Sequence, residues 1–189
     1  MALYLSRHGL TNWNKENRIQ GRIEIPLNED GVKQAEALRE KIRDLNLSCI
    51  YVSPLLRARQ TAEIARGDKD IPIIVDNRII EEYYGDYEGL PRYEECYKKQ
   101  REYFFKRYPN GEGYMDVVYR VYDFLHEMEA KHGNEDILVV AHGGMSRVVN
   151  SYFKDMNNED FTSFMLDNCE LARYEYPNRN FPLIQKPRD

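Results

Sequence analysis

Residues 137–144 read ILVVAHGG, five consecutive apolar residues that break into a histidine and two glycines. A short apolar run bounded by glycine reads as a strand buried on both faces, the usual state of a central strand in a parallel sheet. Upstream, Met115, Val118, Val121, Tyr122, Leu125 and Met128 recur at helical spacing, and Gly133 marks the end of that helix. Downstream, the chain is expected to be helical from about Met145 to Phe153. Residues 2–9, ALYLSRHG, follow the same plan near the N-terminus, with a strand over Ala2–Ser6 running into Arg7, His8 and Gly9. Asn28 is a natural N-cap for a helix carrying Val32, Ala35, Leu38, Ile42 and Leu45 on one face. Cys49–Ser53 reads as a strand stopped by Pro54, which can open a helix through Ala58, Thr61 and Ala65. Ile71–Val75 and Leu171–Tyr176 complete the strand candidates. Strands alternating with helices of this length predict an α/β fold: one three-layer sandwich with a mostly parallel central sheet. No repeat or linker divides residues 1–189, so a single domain is expected. Residues 90–113 lack a strand signal and are expected to form short helices in a small cap insertion. The polar tail after Tyr176 reads as a surface extension.

Composition narrows the function. The 189 residues are 42% hydrophobic and 31% charged, enough for a core and too mixed for disorder. A net charge of −5 argues against a general nucleic-acid binder. No apolar run approaches the length of a membrane span, and no signal-peptide pattern opens the chain. Cys49, Cys96 and Cys169 are odd in number and far apart, without metal-ligand spacing, which suits a reducing, cytoplasmic setting. Nothing in the sequence signals a particular oligomeric state.

In an open parallel sheet, ligands gather at the carboxyl ends of the strands. His8 and His142 both follow strands and precede glycine, whereas His126 and His132 fall on the long helix and read as structural or surface residues. Arg7 adjoins His8, Arg57 follows the end of the CIYVS strand, and Asn14 offers an amide from the loop after the first strand. Converging guanidinium, imidazole and amide donors would form a pocket for a dianionic phosphate.

Four stretches, RHGLTNWN (7–14), SPLLRARQTA (53–62), EEYYGDYEG (81–89) and VVAHGG (139–144), resemble the ordered blocks of the histidine phosphatase superfamily, also called phosphoglycerate mutase-like. The resemblance implies that His8 is a nucleophile forming a phosphohistidine. It assigns the transferring oxygens to Arg7, Arg57, His142, Asn14 and the Gly143 N–H, and the acid/base role to Glu81, four residues before Gly85. Glu82 is the rival for that role, and one of the two is expected to face solvent. Positioning and charge stabilisation dominate a loose phosphoryl-transfer transition state, so neither metal nor other cofactor is expected.

RIQG (18–21), with Gln20 and Gly21 as candidate substrate-binding positions, resembles the phosphatase branch. So does RYPNGEGYMDVVYRV (107–121), although Gly113 stands where that branch usually has Ser. No counterpart appears of the paired arginines found in the longer cofactor-dependent mutases. The resemblance therefore implies a phosphomonoesterase acting on a small-molecule phosphate ester. A cofactor-dependent mutase and a non-catalytic phospholigand-binding protein are the alternatives. Residues 92–107 carry Arg92, Lys98, Lys99, Arg101, Lys106 and Arg107 against Glu94, Glu95 and Glu102, a local cationic excess in an acidic chain. Eight of the 15 tyrosines fall at 83–114, where packing of the cap or an aromatic-lined pocket would use them.

Overall fold

In the computed structural model, which describes residues 1–176, five strands form one sheet: Ala2–Arg7 (β1), Leu47–Val52 (β2), Ile73–Val75 (β3), Asp136–Ala141 (β4) and Leu171–Glu175 (β5). Their spatial order is β3-β2-β4-β1-β5, parallel throughout except for β5, which runs antiparallel to β1. The expected mostly parallel sheet is thus present, with ILVVA at its centre. Among the described residues seven helices accompany it: Asn12–Lys15 (α1), Glu29–Lys41 (α2), Leu56–Arg66 (α3), Glu95–Gln100 (α4), Tyr114–His132 (α5), Gly143–Phe153 (α6) and Asn158–Ser163 (α7).

Alternate strand residues feed two separate cores. Leu3, Leu5, Tyr51, Ile137 and Val139 pack with Val121, Phe124 and Met128 of α5, Val148 of α6 and Phe161 of α7. Tyr4, Ile50, Val52, Leu138 and Val140 face Ala35 and Leu38 of α2 and Ala58, Ala62 and Ala65 of α3. Each large side chain so buried contributes about 1.5–3 kcal/mol relative to exposure. The small-residue face of α3 lets α2 and α3 lie close together under the sheet. No described helix is long and apolar enough to cross a membrane.

Several boundaries differ from the sequence reading. Asn28 caps α2 as expected, its side chain accepting from the Gly31 N–H. Helix α3 starts at Leu56 rather than Pro54, because Leu55 stays extended and the Glu24 carboxylate accepts the Leu56 N–H. Strand β3 is shortened to Ile73–Val75, and α7, capped by Asn157, carried no periodic signal strong enough to predict. Val32 and Met115 sit in the first turns of their helices and are exposed despite their place in the apolar pattern. His132 is held within the fold by the Tyr51 hydroxyl at 2.9 Å, while His126 lies against the Tyr152 ring. The tail after Tyr176 lies outside the described residues.

The segment 90–113 packs on the rest through a cluster of its own. Tyr97 and Tyr108 bury their rings with Tyr84 and Ile19, and Tyr87 packs at the margin. Tyr84 meets Tyr97 and Tyr108 edge-on, with centroids 5.9 and 5.1 Å apart, the arrangement that ring quadrupoles favour. Tyr93 and Tyr103 are exposed. Part of the tyrosine excess is therefore a third, smaller core holding this segment against the loops beside His8.

Candidate active site

Neighbouring parallel strands bring the two histidines together. Arg7 pairs with Ala141 in the β1/β4 register, so His8 and His142 each stand one residue past a strand end. The connection after β1 leads to one face of the sheet and the helix after β4 to the other, which opens a crevice between them. Their ring centroids are 5.2 Å apart, and both rings are buried.

His8 is held from several directions. Its N–H donates to the Ala141 carbonyl, and its carbonyl accepts from Asn168 Nδ2 at 2.7 Å. Nδ1 lies 2.7 Å from the Gly9 carbonyl, which can only accept. That contact places the ring proton on Nδ1 and leaves the lone pair of Nε2 free. Gly9 is itself fixed, its N–H donating to Thr61 Oγ1. Its Cα has no room for a side chain, since a Cβ would stand 2.5 Å from the Gly31 carbonyl oxygen in the first turn of α2. Burial, reinforced by the charges of Arg57 and Arg7, holds the His8 imidazole well below the usual histidine range. The ring is neutral at physiological pH.

His142 has the reciprocal arrangement. Ser53 Oγ lies 2.6 Å from Nε2 and also accepts the Leu55 N–H. A hydroxyl that donates to Nε2 would place the proton on Nδ1, which is buried and has no hydrogen-bond partner among the described residues. Burial and Arg57 keep this ring neutral too. The pair thus sets two neutral imidazoles side by side at the strand ends, with His8 Nε2 unprotonated.

Both arginines are braced by carbonyls and keep donors in reserve. Arg7 Nη1 donates to the Leu166 carbonyl, and Arg57 donates to the carbonyls of Ile23 and Gly21. The Nε of each is buried without a partner. Burial draws both guanidinium groups down to about 10, so they remain cationic at neutral pH. For Arg7, the charge of Arg92 is the next cause after burial. Forked cations already desolvated and oriented make strong oxyanion partners.

Asn14 spends its side-chain oxygen on the N–H and hydroxyl of Thr11, leaving its NH₂ as a donor. Gln20 is buried, with Oε1 unpartnered in the protein, and the neighbouring Gly21 carbonyl is engaged by Arg57. Gly143 begins α6, where the first N–H groups of a helix lack intrahelical partners; that of Gly144 goes to Glu81.

Glu81 reaches the same place from the loop after β3. Its Oε2 accepts the Gly144 N–H at 3.2 Å and its Oε1 accepts the Glu82 N–H at 2.9 Å. Neither carboxylate faces solvent, contrary to the expectation for one of the pair: Glu81 is 7% and Glu82 2% exposed. Burial lifts the Glu82 carboxyl to about 8, against the opposing charge of Arg147, which is also buried. Alternation along an extended loop sends the two carboxyls apart, and both directions here lead into protein.

Ser53, Thr61, Asn168 and Arg92 belong to the site's surroundings and escaped the sequence reading as site residues. Ser53 and Thr61 lie inside a quoted motif, but their partners follow only from strand order. Asn168 comes from a loop without periodic pattern. Among the described residues, no three His, Cys, Asp or Glu side chains gather as a metal site requires.

Residues 3–186 match the family model described as the histidine phosphatase superfamily (branch 1). An uncharacterized phosphatase, PhoE, of Bacillus subtilis is 37% identical over 142 residues, covering 75% of this chain and 72% of its own length. Phosphoserine phosphatase 1 of Hydrogenobacter thermophilus is 34% identical over 180 residues, covering 91% and 85%. The solved structure of YhfR from Bacillus stearothermophilus superposes with a TM-score of 0.84 at 32% identity, covering 94% of this chain and 92% of that one.

Proposed function

The chain belongs to the histidine phosphatase superfamily (branch 1) and is a phosphoric monoester hydrolase, and we propose that it cleaves small phosphate esters through a phosphohistidine on His8. The observation that carries this reading is the 2.7 Å contact of His8 Nδ1 with the Gly9 carbonyl, which leaves Nε2 as a neutral nucleophile between two buried guanidinium groups.

In the first half-reaction Nε2 bonds to phosphorus as the ester P–O bond breaks. Glu81 gives its proton to the departing oxygen. Arg7, Arg57, His142 Nδ1–H, Asn14 and the Gly143 N–H hold the transferring oxygens. Gln20 and Gly21 border the substrate. In the second half-reaction water attacks phosphorus, Glu81 takes the water's proton, and the P–N bond breaks to restore neutral His8. Charge stabilisation by prearranged donors supplies most of the acceleration.

Residues 90–113 serve in this reading as a cap that selects the substrate within a single domain. The support is the tyrosine cluster joining α4 to the loop that carries Glu81, together with the influence of Arg92 on Arg7 and His8. A reducing, cytoplasmic setting accords with the three unpaired cysteines.

The test is a panel of small phosphate esters with p-nitrophenyl phosphate, using wild type and His8→Ala, together with isolation of an acid-labile phosphoenzyme. Wild type should hydrolyse several esters and form the adduct; activity surviving in His8→Ala would overturn the assignment. Including 3-phosphoglycerate with a bisphosphate primer separates hydrolysis from mutase action, and isomerisation exceeding phosphate release would reverse the choice.

A further inference from the structure

One charged assembly remains outside this mechanism. Arg120, on α5, sends its guanidinium under the loop that carries Glu81. Nη1 donates to the carbonyls of Arg78 and Ile80, each at 2.6 Å, and Nη2 to the Glu81 carbonyl at 3.2 Å. The Glu112 carboxylate grips the same guanidinium from the other side, with Nε–Oε1 at 3.1 Å and Nη2–Oε2 at 3.0 Å. Glu112 also pairs its backbone with that loop, its N–H donating to the Tyr83 carbonyl at 2.8 Å while its Oε2 accepts the Tyr83 N–H at 3.0 Å. Arg22 closes the circuit, donating to the Glu81 carbonyl and pairing with Glu112 Oε1 at 2.8 Å. Both Arg120 and Glu112 keep less than a fifth of their side chains exposed.

We propose that Glu112 and Arg120 are positioning residues that clamp the loop Ile80–Tyr83 and so aim the Glu81 carboxyl at the leaving oxygen. The inference rests on the acid role proposed for Glu81. An extended loop has no ladder to fix its peptides, and a carboxyl on a three-torsion side chain transfers a proton well only when its backbone is held. Here the clamp engages the carbonyls of Ile80, Glu81 and Tyr83 and the N–H of Tyr83. The planar fork of arginine suits several acceptors at once, and a flexible ammonium would not replace it. The ion pair lies within the part-buried network, where screening is weaker than at an open surface.

Leaving-group dependence tests the clamp. The measurement is kcat/KM for p-nitrophenyl phosphate, whose leaving group needs little protonation, and for 2-glycerol phosphate, whose leaving group needs it. Glu81→Gln provides the reference for loss of the acid. Glu112→Gln and Arg120→Met should each slow 2-glycerol phosphate by about 10- to 100-fold while changing p-nitrophenyl phosphate by less than about threefold. Equal slowing of both esters would mean that the pair only packs the loop, and no slowing of either would mean that it is idle; each result overturns the proposal. Should Arg120→Met fail to fold, the isosteric Glu112→Gln decides alone. A Glu81→Gln enzyme that fails to discriminate between the esters removes the acid assignment itself, and the clamp's purpose with it. A discriminating Glu81→Gln beside a non-discriminating Glu112→Gln removes the clamp alone.

Discussion

Ser53 Oγ stands 2.6 Å from His142 Nε2, reaching across from the end of the neighbouring strand. Among the described residues that hydroxyl is the one hydrogen-bond partner of the His142 ring nitrogens, and as a donor to Nε2 it would leave the proton on Nδ1. Ser53→Ala frees the imidazole to rotate and change tautomer. Loss of one such hydrogen bond should lower kcat/KM by about three- to tenfold, with KM for the ester rising as oxyanion contacts weaken. An unchanged kcat/KM in steady-state assays would show that the tautomer is set by something else.

Gly144 lies directly beneath the Glu81 carboxylate. A Cβ there would sit 2.5 Å from Glu81 Oε1 and 3.2 Å from the Tyr84 hydroxyl. Gly144→Ala should therefore displace the carboxyl and slow alkyl esters by about 10-fold or more, a 1 Å error being costly in proton transfer. Comparing kcat/KM on alkyl and activated aryl esters checks this; an alkyl rate within error of wild type would contradict it.

Burial raises the Glu82 carboxyl to about 8, from an ordinary 4.5. In that window the folded protein keeps a proton that the unfolded chain has lost, so this group's contribution to stability falls as pH climbs through it. The two histidines act in the opposite sense: their depressed affinity means that stability is lost as pH falls below the ordinary 6.5. Between 6.5 and 8 the Glu82 effect stands apart from the histidines. Glu82→Gln keeps the neutral shape, and its Tm relative to wild type should rise across this interval. A difference in Tm that stays flat with pH would contradict the assignment.

The Tyr108 hydroxyl is buried among tyrosine rings and has no hydrogen-bond partner among the described residues. Removing an unsatisfied polar atom while keeping the ring should be neutral or stabilising, by up to about 1 kcal/mol. Tyr108→Phe is expected to leave Tm unchanged or higher in a thermal melt. A marked drop would reveal that the hydroxyl has a partner. Tyr97→Ala, which empties part of the same cluster, should cost about 3 kcal/mol or more.

The parts of this protein that follow a period were legible. The apolar run 137–141 announced a central strand, and His8 and His142 were placed together because both follow such strands. Asn28 and Gly133 marked helix ends through their own chemistry. What was hidden depended on partners remote in sequence. That both Glu81 and Glu82 are buried was hidden because nothing nearby in the sequence reveals Arg147 beside Glu82. Asn168 supports the His8 backbone across 160 positions. Gly113 has no side chain to cap a helix, yet α5 still starts after it because Asp116 turns back to accept its N–H.

The contact between Gly9 and Gly31 makes two distant stretches of chain a single mechanical part. A Cβ on Gly31 would stand 2.1 Å from the Leu10 carbonyl oxygen, as one on Gly9 would strike Gly31. The opening turn of α2 is thus pressed, main chain on main chain, against the residues that follow His8. A random mutagenesis screen for activity should recover position 31 beside His8 and the two buried arginines, although it lies in a main-chain contact behind them. Evolution can freely redecorate the exposed face of α2, but its first turn inherits the tolerances of the reaction.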